Sequence, residues 1–217
     1  MPKRDVPSTA SFAETTPDGR LFAPSAARNA GPLGDLLADL APVHGSALEL
    51  ASGTGQHVAA FAARLPGLHW QPTEIDPARR ASIDAYLTEA GLANTAPALD
   101  LDATRPGWGA DHAGQALIVL VNLLHLISTA EAQILITEAA TALAPEGLFL
   151  VYGPFMRAGE LTSEGDRAFH ASLTAQDGEI GYKDDGEIIA MMQAAGLDLV
   201  RVVEMPANNL ALVARRP

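Results

Sequence analysis

The sequence predicts an α/β protein with a doubly wound, mostly parallel sheet of seven strands that ends in an antiparallel hairpin. Short apolar runs alternate with segments of helical periodicity along most of the chain, as in successive βαβ units. Residues 116–121 are apolar throughout, which is typical of a central parallel strand covered on both faces. The last two apolar runs are separated only by residues 205–209, too few for a crossover helix, so we expect them to pair antiparallel.

The individual elements follow from periodicity and from helix-capping signals. Strands are predicted at residues 47–50, 68–73, 96–101, 116–121, 148–152, 197–203 and 210–214. Helical spacing of apolar residues is found at 32–40, 58–65, 83–90, 132–143, 162–175 and 184–195. Asp76 before Pro77, Ser128 with Glu131, and Asp184 with Glu187 are typical helix N-termini.

Length and composition limit the classes of function. A chain of 217 residues fits one domain, which we place at residues 21–217, after a mobile N-terminal arm at residues 1–20. The net charge of -12 gives no reason to expect nucleic acid as a partner, since binding to phosphate backbones rests on Lys and Arg. A small-molecule acceptor or a basic protein is a more suitable partner than nucleic acid for so acidic a chain.

Other residue counts and patterns are also informative. The chain has no cysteine and no apolar run of membrane-spanning length, so we expect a cytoplasmic protein without a membrane partner. None of the histidines has the one-turn spacing of paired helical ligands, and we expect no metal. The sequence does not indicate an oligomeric state.

A glycine-containing turn joins the first predicted strand to its helix. Gly53 and Gly55 lack a Cβ, which allows the backbone amides at a helix N-terminus to approach a ligand closely. The alternative is a turn that requires glycine only for its shape. In a dinucleotide fingerprint a third small residue follows, but here that position is Val58, which favours an adenosyl ligand over a nicotinamide dinucleotide.

Acidic residues follow the next two predicted strands. Glu74 is about 20 residues after the glycine turn, where an acid accepts hydrogen bonds from ribose hydroxyls. We assign the ribose to Glu74 rather than to Asp76, because Asp76 serves as a helix cap. Asp102 either accepts a hydrogen bond from the adenine amino group or is a solvated loop acid beside Asp100, and both alternatives stay open.

Polar and aromatic residues follow the fourth and fifth strands, where open α/β sheets bind ligands. Asn122 and His125 follow strand four, and His125 is either a general base for the acceptor or a histidine hydrogen-bonded within a loop. Tyr152, at the end of strand five, is either a wall of the acceptor pocket or a core residue. His57, in the first turn after the glycines, is either structural or adjacent to the cofactor.

Residues 47–76, ALELASGTGQHVAAFAARLPGLHWQPTEID, resemble the class I S-adenosylmethionine-dependent methyltransferases, and specifically the bacterial DUF938 group, which is similar to the eukaryotic methyltransferase-like protein 26. Arg28-Asn29, residues 121–125 and residues 152–155 resemble other landmarks of that group. The chain departs from the expected pattern at Ala51, where many class I enzymes have glycine, at Asp166, where asparagine is expected, and at Lys183, where arginine is expected.

The resemblance implies a Rossmann-like methyltransferase fold and S-adenosylmethionine as cofactor. The residues expected to bind the cofactor are Glu49, Ala51, Ser52, Gly53, Gly55, His57, Glu74, Asp102, Asn122 and Arg28. The catalytic residues expected at the acceptor are His125, Asn122 and Tyr152.

The predicted activity is transfer of a methyl group to oxygen or nitrogen of a small-molecule acceptor. The alternative is a non-catalytic adenosyl-binding module that regulates a partner. From the sequence we also expect Gly55→Val to abolish cofactor binding and to leave the fold intact.

Overall fold

Strands and helices alternate along the chain as the sequence predicts. The structure is a computed structural model that describes residues 12–217; residues 1–11, half of the predicted mobile arm, lie outside the described part. The strands are β1 (Glu14–Thr15), β2 (Leu21–Phe22), β3 (Gly45–Leu50), β4 (Leu68–Pro72), β5 (Gln115–Val121), β6 (Leu143–Met156), β7 (Lys183–Asp184), β8 (Asp198–Met205) and β9 (Asn209–Arg215). The helices are α1 (Pro24–Leu40), α2 (Gln56–Arg64), α3 (Pro77–Ala90), α4 (Trp108–Asp111), α5 (Thr129–Ala142), α6 (Glu164–Gln176) and α7 (Asp185–Ala194), with 3-10 turns at Leu124–Leu126 and Pro206–Asn208.

The main sheet has seven strands and the predicted topology. Six strands lie in the order β4-β3-β5-β6-β9-β8, and β7 pairs with the end of β6. The first four of these are parallel, whereas β9 is antiparallel to both β6 and β8. The doubly wound sheet with a C-terminal antiparallel hairpin is therefore confirmed.

Helices cover both faces of the sheet, and each face has its own apolar core. On one face, α1, α2 and α3 bury residues such as Leu33, Phe61 and Ile83 against the strands. On the other face, α5 and α7 bury residues such as Leu135 and Met192. Two covered faces explain why β5 is apolar along almost its whole length.

The predicted third strand, residues 96–101, does not form a regular strand. The segment follows β4 through two isolated parallel bridges, at Thr95 and Leu99, and the Leu99 carbonyl accepts a hydrogen bond of 2.9 Å from the Glu74 amide. Pro97 has no N–H to donate to a strand ladder, which is the physical reason for the interruption. The segment still brings residues 101–104 to the same end of the sheet as Glu74.

Helix α1 is longer at its N-terminus than predicted. It begins at Pro24 and contains Pro32 in its interior, whereas Pro32 was expected to begin the helix. Proline is favoured in the first turn of a helix, and this preference is also met at Pro24. The additional turns bring Ser25 and Arg28 to the carboxyl end of the sheet.

Residues 14–22 form a small antiparallel ribbon against α3. Glu14 pairs with Phe22, and the Leu21 amide donates a hydrogen bond of 2.8 Å to the Ser82 hydroxyl. The Arg20 guanidinium lies 4.6 Å from the centre of the Tyr86 ring. The mobility of the N-terminal arm remains a prediction.

The predicted helix N-termini are confirmed. The Asp76 carboxylate accepts from the Ala78 and Arg79 amides, and Ser128 and Glu131 form a reciprocal capping box at α5. No helix in residues 12–217 combines the length and the apolar character needed to cross a membrane.

We expect Ser128→Ala to lower the free energy of unfolding by about 1 kcal/mol, because an N3 amide loses its acceptor. Gln133→Ala, on the exposed face of the same helix, is the matched control and should change stability by less than about 0.5 kcal/mol. Urea unfolding followed by circular dichroism measures both. Equal losses in the two variants would show that the capping box does not contribute.

Candidate functional site

A cavity of about 680 Å³ opens at the carboxyl ends of β3, β4 and β5. In the sheet order, β3 lies between β4 and β5. The chain passes from β3 to β4 on one side and then returns across β3 to form β5 on the other, so the strand order reverses at β3. This is the topological switch point at which open α/β sheets bind their ligands. The volume is within the range of small-molecule and cofactor sites.

The loop after β3 forms one side of the cavity. Ala51, Gly53 and Gly55 all have left-handed backbone conformations, with φ of 51°, 61° and 95°. Ala51, Ser52, Gly53 and Thr54 line the cavity. The loop is joined to β4 because the Ser52 amide donates a hydrogen bond of 2.8 Å to the Thr73 carbonyl.

Gly55 has a different role from the one predicted. It does not line the cavity, and a Cβ at this position would lie 2.6 Å from the Ile83 Cα in α3. A Cβ at Gly53 would have its nearest contact, the Arg79 guanidinium, at 3.6 Å. Gly55 therefore allows α2 to pack closely on α3, and the expectation that Gly55→Val leaves the fold intact is wrong.

Glu74 lies at the cavity with both carboxylate oxygens engaged by backbone amides. One oxygen accepts from Gly53 at 3.1 Å, and the other accepts from Ile75 at 2.8 Å and from Asp76 at 3.1 Å. The residue is only 6% exposed, and burial raises the pKa of its carboxyl group. Each carboxylate oxygen has more than one lone-pair direction, so this acid retains acceptor capacity for a ligand.

Asp76 also lines the cavity, and its carboxylate caps α3. One carboxylate oxygen accepts from the amides of Ala78 at 2.7 Å and Arg79 at 3.2 Å. The cap role predicted for Asp76 is present, and the assignment of the ligand acid to Glu74 stays a prediction.

Glu49 lies in β3, directly before the loop, and is buried with 1% exposure. It is not part of the cavity lining. Neither of its carboxyl oxygens has a hydrogen-bond partner among residues 12–217. Burial raises the pKa of this carboxyl group to about 8; the Ser52 side chain opposes the shift, and the neighbouring Glu74 adds to it.

Arg28 and His57 line the opposite side of the cavity, on α1 and α2. The His57 Nε2 is hydrogen-bonded to the side-chain oxygen of buried Asn29, and the ring stacks on Phe61. Burial lowers the pKa of His57 to about 4, so the ring is neutral at pH 7. Asn29, noted in the sequence only as part of a landmark pair, is thus the residue that orients His57.

Asp102 and Asn122 also lie at the cavity. The Asp102 carboxylate accepts from the Thr104 hydroxyl at 2.6 Å and from the Thr104 amide at 3.0 Å, and its side chain is 13% exposed. Asp102 also pairs with Arg105 at 3.4 Å, and the exposed Asp100 pairs with Arg80 at 3.3 Å. Asn122 has φ of 56°, and its amide donates to the Tyr152 carbonyl at 2.8 Å.

His125 and Tyr152 do not line the cavity. His125 is buried against the rings of Phe169 and Tyr182, and burial lowers its pKa to about 3, with a further contribution from Lys183. An imidazole in this environment is a weak base away from the ligand, so the structure does not support His125 as the general base. Tyr152 is 2% exposed, and its hydroxyl accepts from Asn209 at 3.0 Å, which agrees with the core alternative.

Several residues of the lining were not predicted from the sequence. The cavity is also lined by Phe12, Ala13, Ala23, Pro24, Ser25, Ala26, Thr54, Ile75, Pro77, Arg79, Leu101, Ala103, Thr104, Val121, Leu123 and Leu126. Most are small or apolar residues of connecting segments. The one sequence feature that indicates their position is the end of a predicted strand. In residues 12–217 no group of three or more His, Cys, Asp or Glu side chains is arranged to hold a metal ion.

Comparison with known proteins identifies the family and the fold. A family model described as "Protein of unknown function (DUF938)" matches residues 20–216. An O-methyltransferase family protein from Burkholderia thailandensis has a TM-score of 0.75 and 19% identity, over 87% of this chain and 56% of its own. Mitomycin 7-O-methyltransferase MmcR has a TM-score of 0.72 and 20% identity, over 88% and 54%.

A human protein has the same core fold. N-acetylserotonin methyltransferase, solved in complex with S-adenosylmethionine, has a TM-score of 0.70 and 16% identity, over 87% of this chain and 51% of its own. The chain thus spans a little over half the length of these solved chains. At such identities the likeness establishes a shared fold.

Gly53→Ala and Gly55→Ala form a matched pair, since both place a Cβ on left-handed backbone. We expect Gly53→Ala to destabilise the fold by about 1–2 kcal/mol from backbone strain alone. Gly55→Ala should lose roughly 1–3 kcal/mol more, because its Cβ meets the α3 backbone. Chemical denaturation measures the difference, and equal losses would contradict the packing role of Gly55.

Proposed function

Because the chain belongs to the DUF938 family and has the Rossmann-like fold of S-adenosylmethionine-dependent methyltransferases, we propose that it is such a methyltransferase and acts on a small-molecule acceptor. The observation that carries the proposal is the Glu74 carboxylate beside the strained loop after β3. It lies at the switch point of the sheet, at the edge of a cavity large enough for a nucleoside and an acceptor.

The lining has the chemical groups that an adenosyl ligand requires. Glu74 retains acceptor capacity for the ribose hydroxyls, and Asp102 is an acceptor for the adenine amino group. Leu101 and Ala103 offer apolar contacts to the base on either side of Asp102. Arg28, which lines the cavity from α1, offers a positive charge for the carboxylate of the methionine portion.

The loop after β3 contributes shape and bare backbone. Ala51, Ser52 and Gly53 line the cavity with little side-chain volume, and Gly53 at φ of 61° has no Cβ to obstruct a ligand. Ala51 in the left-handed region carries backbone strain, which is common at ligand sites. We therefore retain these three residues as the proposed contacts of the methionine portion, with Glu49 buried behind them.

When bound, S-adenosylmethionine supplies an activated methyl group on a positively charged sulfur. In transfer to an acceptor it would give up this methyl group and keep the carbon–sulfur electron pair, and Ala51, Ser52 and Gly53 would hold its methionine portion. The chain contributes by aligning the two reactants and by excluding water. Val121, Leu123 and Leu126 provide the apolar wall, and Asn122 provides the polar group at the acceptor end.

Proton removal from the acceptor does not depend on His125 in this proposal. A nitrogen acceptor with a free lone pair attacks without a base and loses its proton afterwards. His57 is the one histidine of the described lining, and because burial lowers its pKa to about 4 it is also a weak base for an oxygen acceptor. The solved relatives named above include a 7-O-methyltransferase, so both oxygen and nitrogen acceptors belong in the test.

Activity is tested by release of S-adenosylhomocysteine over a panel of small phenols, carboxylic acids and amines. We expect turnover with at least one acceptor class. Binding of S-adenosylmethionine without turnover across the panel would favour the alternative of a non-catalytic regulatory module.

Glu74→Gln should weaken binding of both S-adenosylmethionine and S-adenosylhomocysteine by about ten- to a hundredfold, because a charge-assisted acceptor is lost. Isothermal titration calorimetry measures the affinities. Asp198→Asn is the matched control: this exposed acid lies on β8, at the opposite edge of the sheet from β4, and its loss should leave both affinities unchanged. Unchanged binding by Glu74→Gln would show that the ligand is bound elsewhere.

A further inference from the structure

The imidazole of His57 has one ring nitrogen held by the protein and one left for a ligand. Its Nε2 is hydrogen-bonded to the side-chain oxygen of Asn29, on α1. An amide oxygen can only accept, so Nε2 is the donor and carries the proton. In a neutral imidazole the other nitrogen, Nδ1, is then a hydrogen-bond acceptor.

The Asn29 amide is engaged on its other side by Tyr152. Burial raises the pKa of the Tyr152 hydroxyl, and hydrogen bonds from the side chains of Asn29 and Asn209 oppose this rise. A bond that favours the phenolate is one in which the phenol oxygen accepts, so the amide nitrogen of Asn29 faces Tyr152 and its oxygen faces His57. Asn29 is buried and is not part of the cavity lining. The tautomer of His57 is thus set from behind the cavity wall.

The second nitrogen of the His57 ring faces the cavity. The residue lines the cavity, and its ring stacks on Phe61. Among residues 12–217, no group is hydrogen-bonded to Nδ1. Nor is Nδ1 one of the fully buried polar atoms that lack a partner, so it keeps contact with accessible space. For a ring in the lining, that space is the cavity, where Nδ1 offers a lone pair.

The ring lies toward the end of the cavity that we assign to the methyl acceptor. Asn29 links it to Tyr152, which pairs with Val121 at the end of β5. The Tyr152 carbonyl also accepts from the Asn122 amide at 2.8 Å. The hydrogen-bonded series from His57 through Asn29 to Tyr152 therefore ends beside Asn122, the polar group of the acceptor end.

We propose that Asn29 is a positioning residue: it holds His57 in the neutral tautomer with the proton on Nε2, so that Nδ1 accepts a hydrogen bond from an O–H or N–H group of the methyl acceptor. The inference rests on the proposed function, since it takes the cavity as the site of methyl transfer. The proton stays on the acceptor as it binds, because burial lowers the pKa of His57 to about 4. Nδ1 thus orients the acceptor and does not ionise it.

This arrangement selects a class of acceptor. A phenol or an amine has a hydrogen for Nδ1 and a lone pair that points elsewhere, toward the methyl group. A carboxylate or a pyridine has lone pairs but no hydrogen to donate, and its lone pair would oppose that of Nδ1. We therefore expect phenols and amines with an N–H to be methylated, and carboxylates and pyridines not to be.

The tautomer is tested by ¹⁵N NMR of the histidine side chains in the full chain at pH 7, since the two neutral tautomers and the charged ring differ in their nitrogen shifts. We expect His57 to be neutral with its proton on Nε2, and His57→Gln assigns the signal. A wild-type His57 that is charged, or that carries its proton on Nδ1, overturns the inference without recourse to any other variant.

Two substitutions at Asn29 separate positioning from packing. Asn29→Leu has a similar size but cannot accept, so His57 should lose its preference for the Nε2 proton. Asn29→Asp still accepts from Nε2 and should keep the tautomer, while its negative charge moves ionisation of His57 upward by about one to three pH units. Gln133→Glu, the same amide-to-acid change on the exposed face of α5, is the matched control and should alter neither property.

The role at the acceptor is tested at pH 8 with the phenol or amine that shows the highest turnover in the panel. Asn29→Leu should lower kcat/KM for this acceptor by about ten- to a hundredfold, because its hydrogen-bond acceptor is no longer fixed. The affinity for S-adenosylhomocysteine should change by less than about threefold. Asn29→Asp should restore most of kcat/KM, which a loss caused by altered packing alone would not predict.

Three outcomes overturn the inference and leave the proposed function intact. They are an unchanged tautomer in Asn29→Leu, an equal loss of acceptor turnover and S-adenosylhomocysteine affinity, and methylation of carboxylates or pyridines as readily as phenols and amines. A wild type that neither binds S-adenosylmethionine nor turns over any acceptor overturns the proposed function, and the acceptor role of His57 with it.

Discussion

The hydrogen bond from the Gly53 amide to the Glu74 carboxylate is the interaction on which the site depends. It joins the loop after β3 to the end of β4, two segments that are neighbours only because these strands pair in the sheet. The Gly53 amide lies in the left-handed turn of this loop, outside the strand ladder, and needs a hydrogen-bond acceptor. The buried acid needs donors. Each therefore stabilises the other, and together they form the edge of the cavity.

The acids of this region are held in different electrostatic states. Burial raises the pKa of Glu74, and three amide donors and the nearby Arg79 offset part of that effect. Glu49, with no donor, is kept neutral. The two carboxyl groups differ because backbone amides reach only that of Glu74, which lines the cavity, whereas Glu49 is buried behind the lining.

The acceptor side is organised differently from the cofactor side. There the segment after β5 exposes Asn122, Leu123 and Leu126 to the cavity and turns His125 toward an aromatic group with Phe169 and Tyr182. The contacts of His125 with these two rings join the 3-10 turn at Leu124–Leu126 to α6 and to the segment before β7. His125 thus stabilises the packing of these elements, and the cavity wall next to it is apolar.

The sequence by itself determined the features that depend on neighbouring residues or on simple periodicity. The caps at Asp76 and Ser128, the buried β5 and the closing hairpin were all predicted, because short-range hydrogen bonds and apolar patterns specify them. Only the tertiary structure decided which side chains reach the cavity. The contact of Gly55 with Ile83, the bond between Asn29 and His57, and the burial of His125 each join distant segments. Their geometry depends on how helices pack on the sheet, which local sequence does not encode.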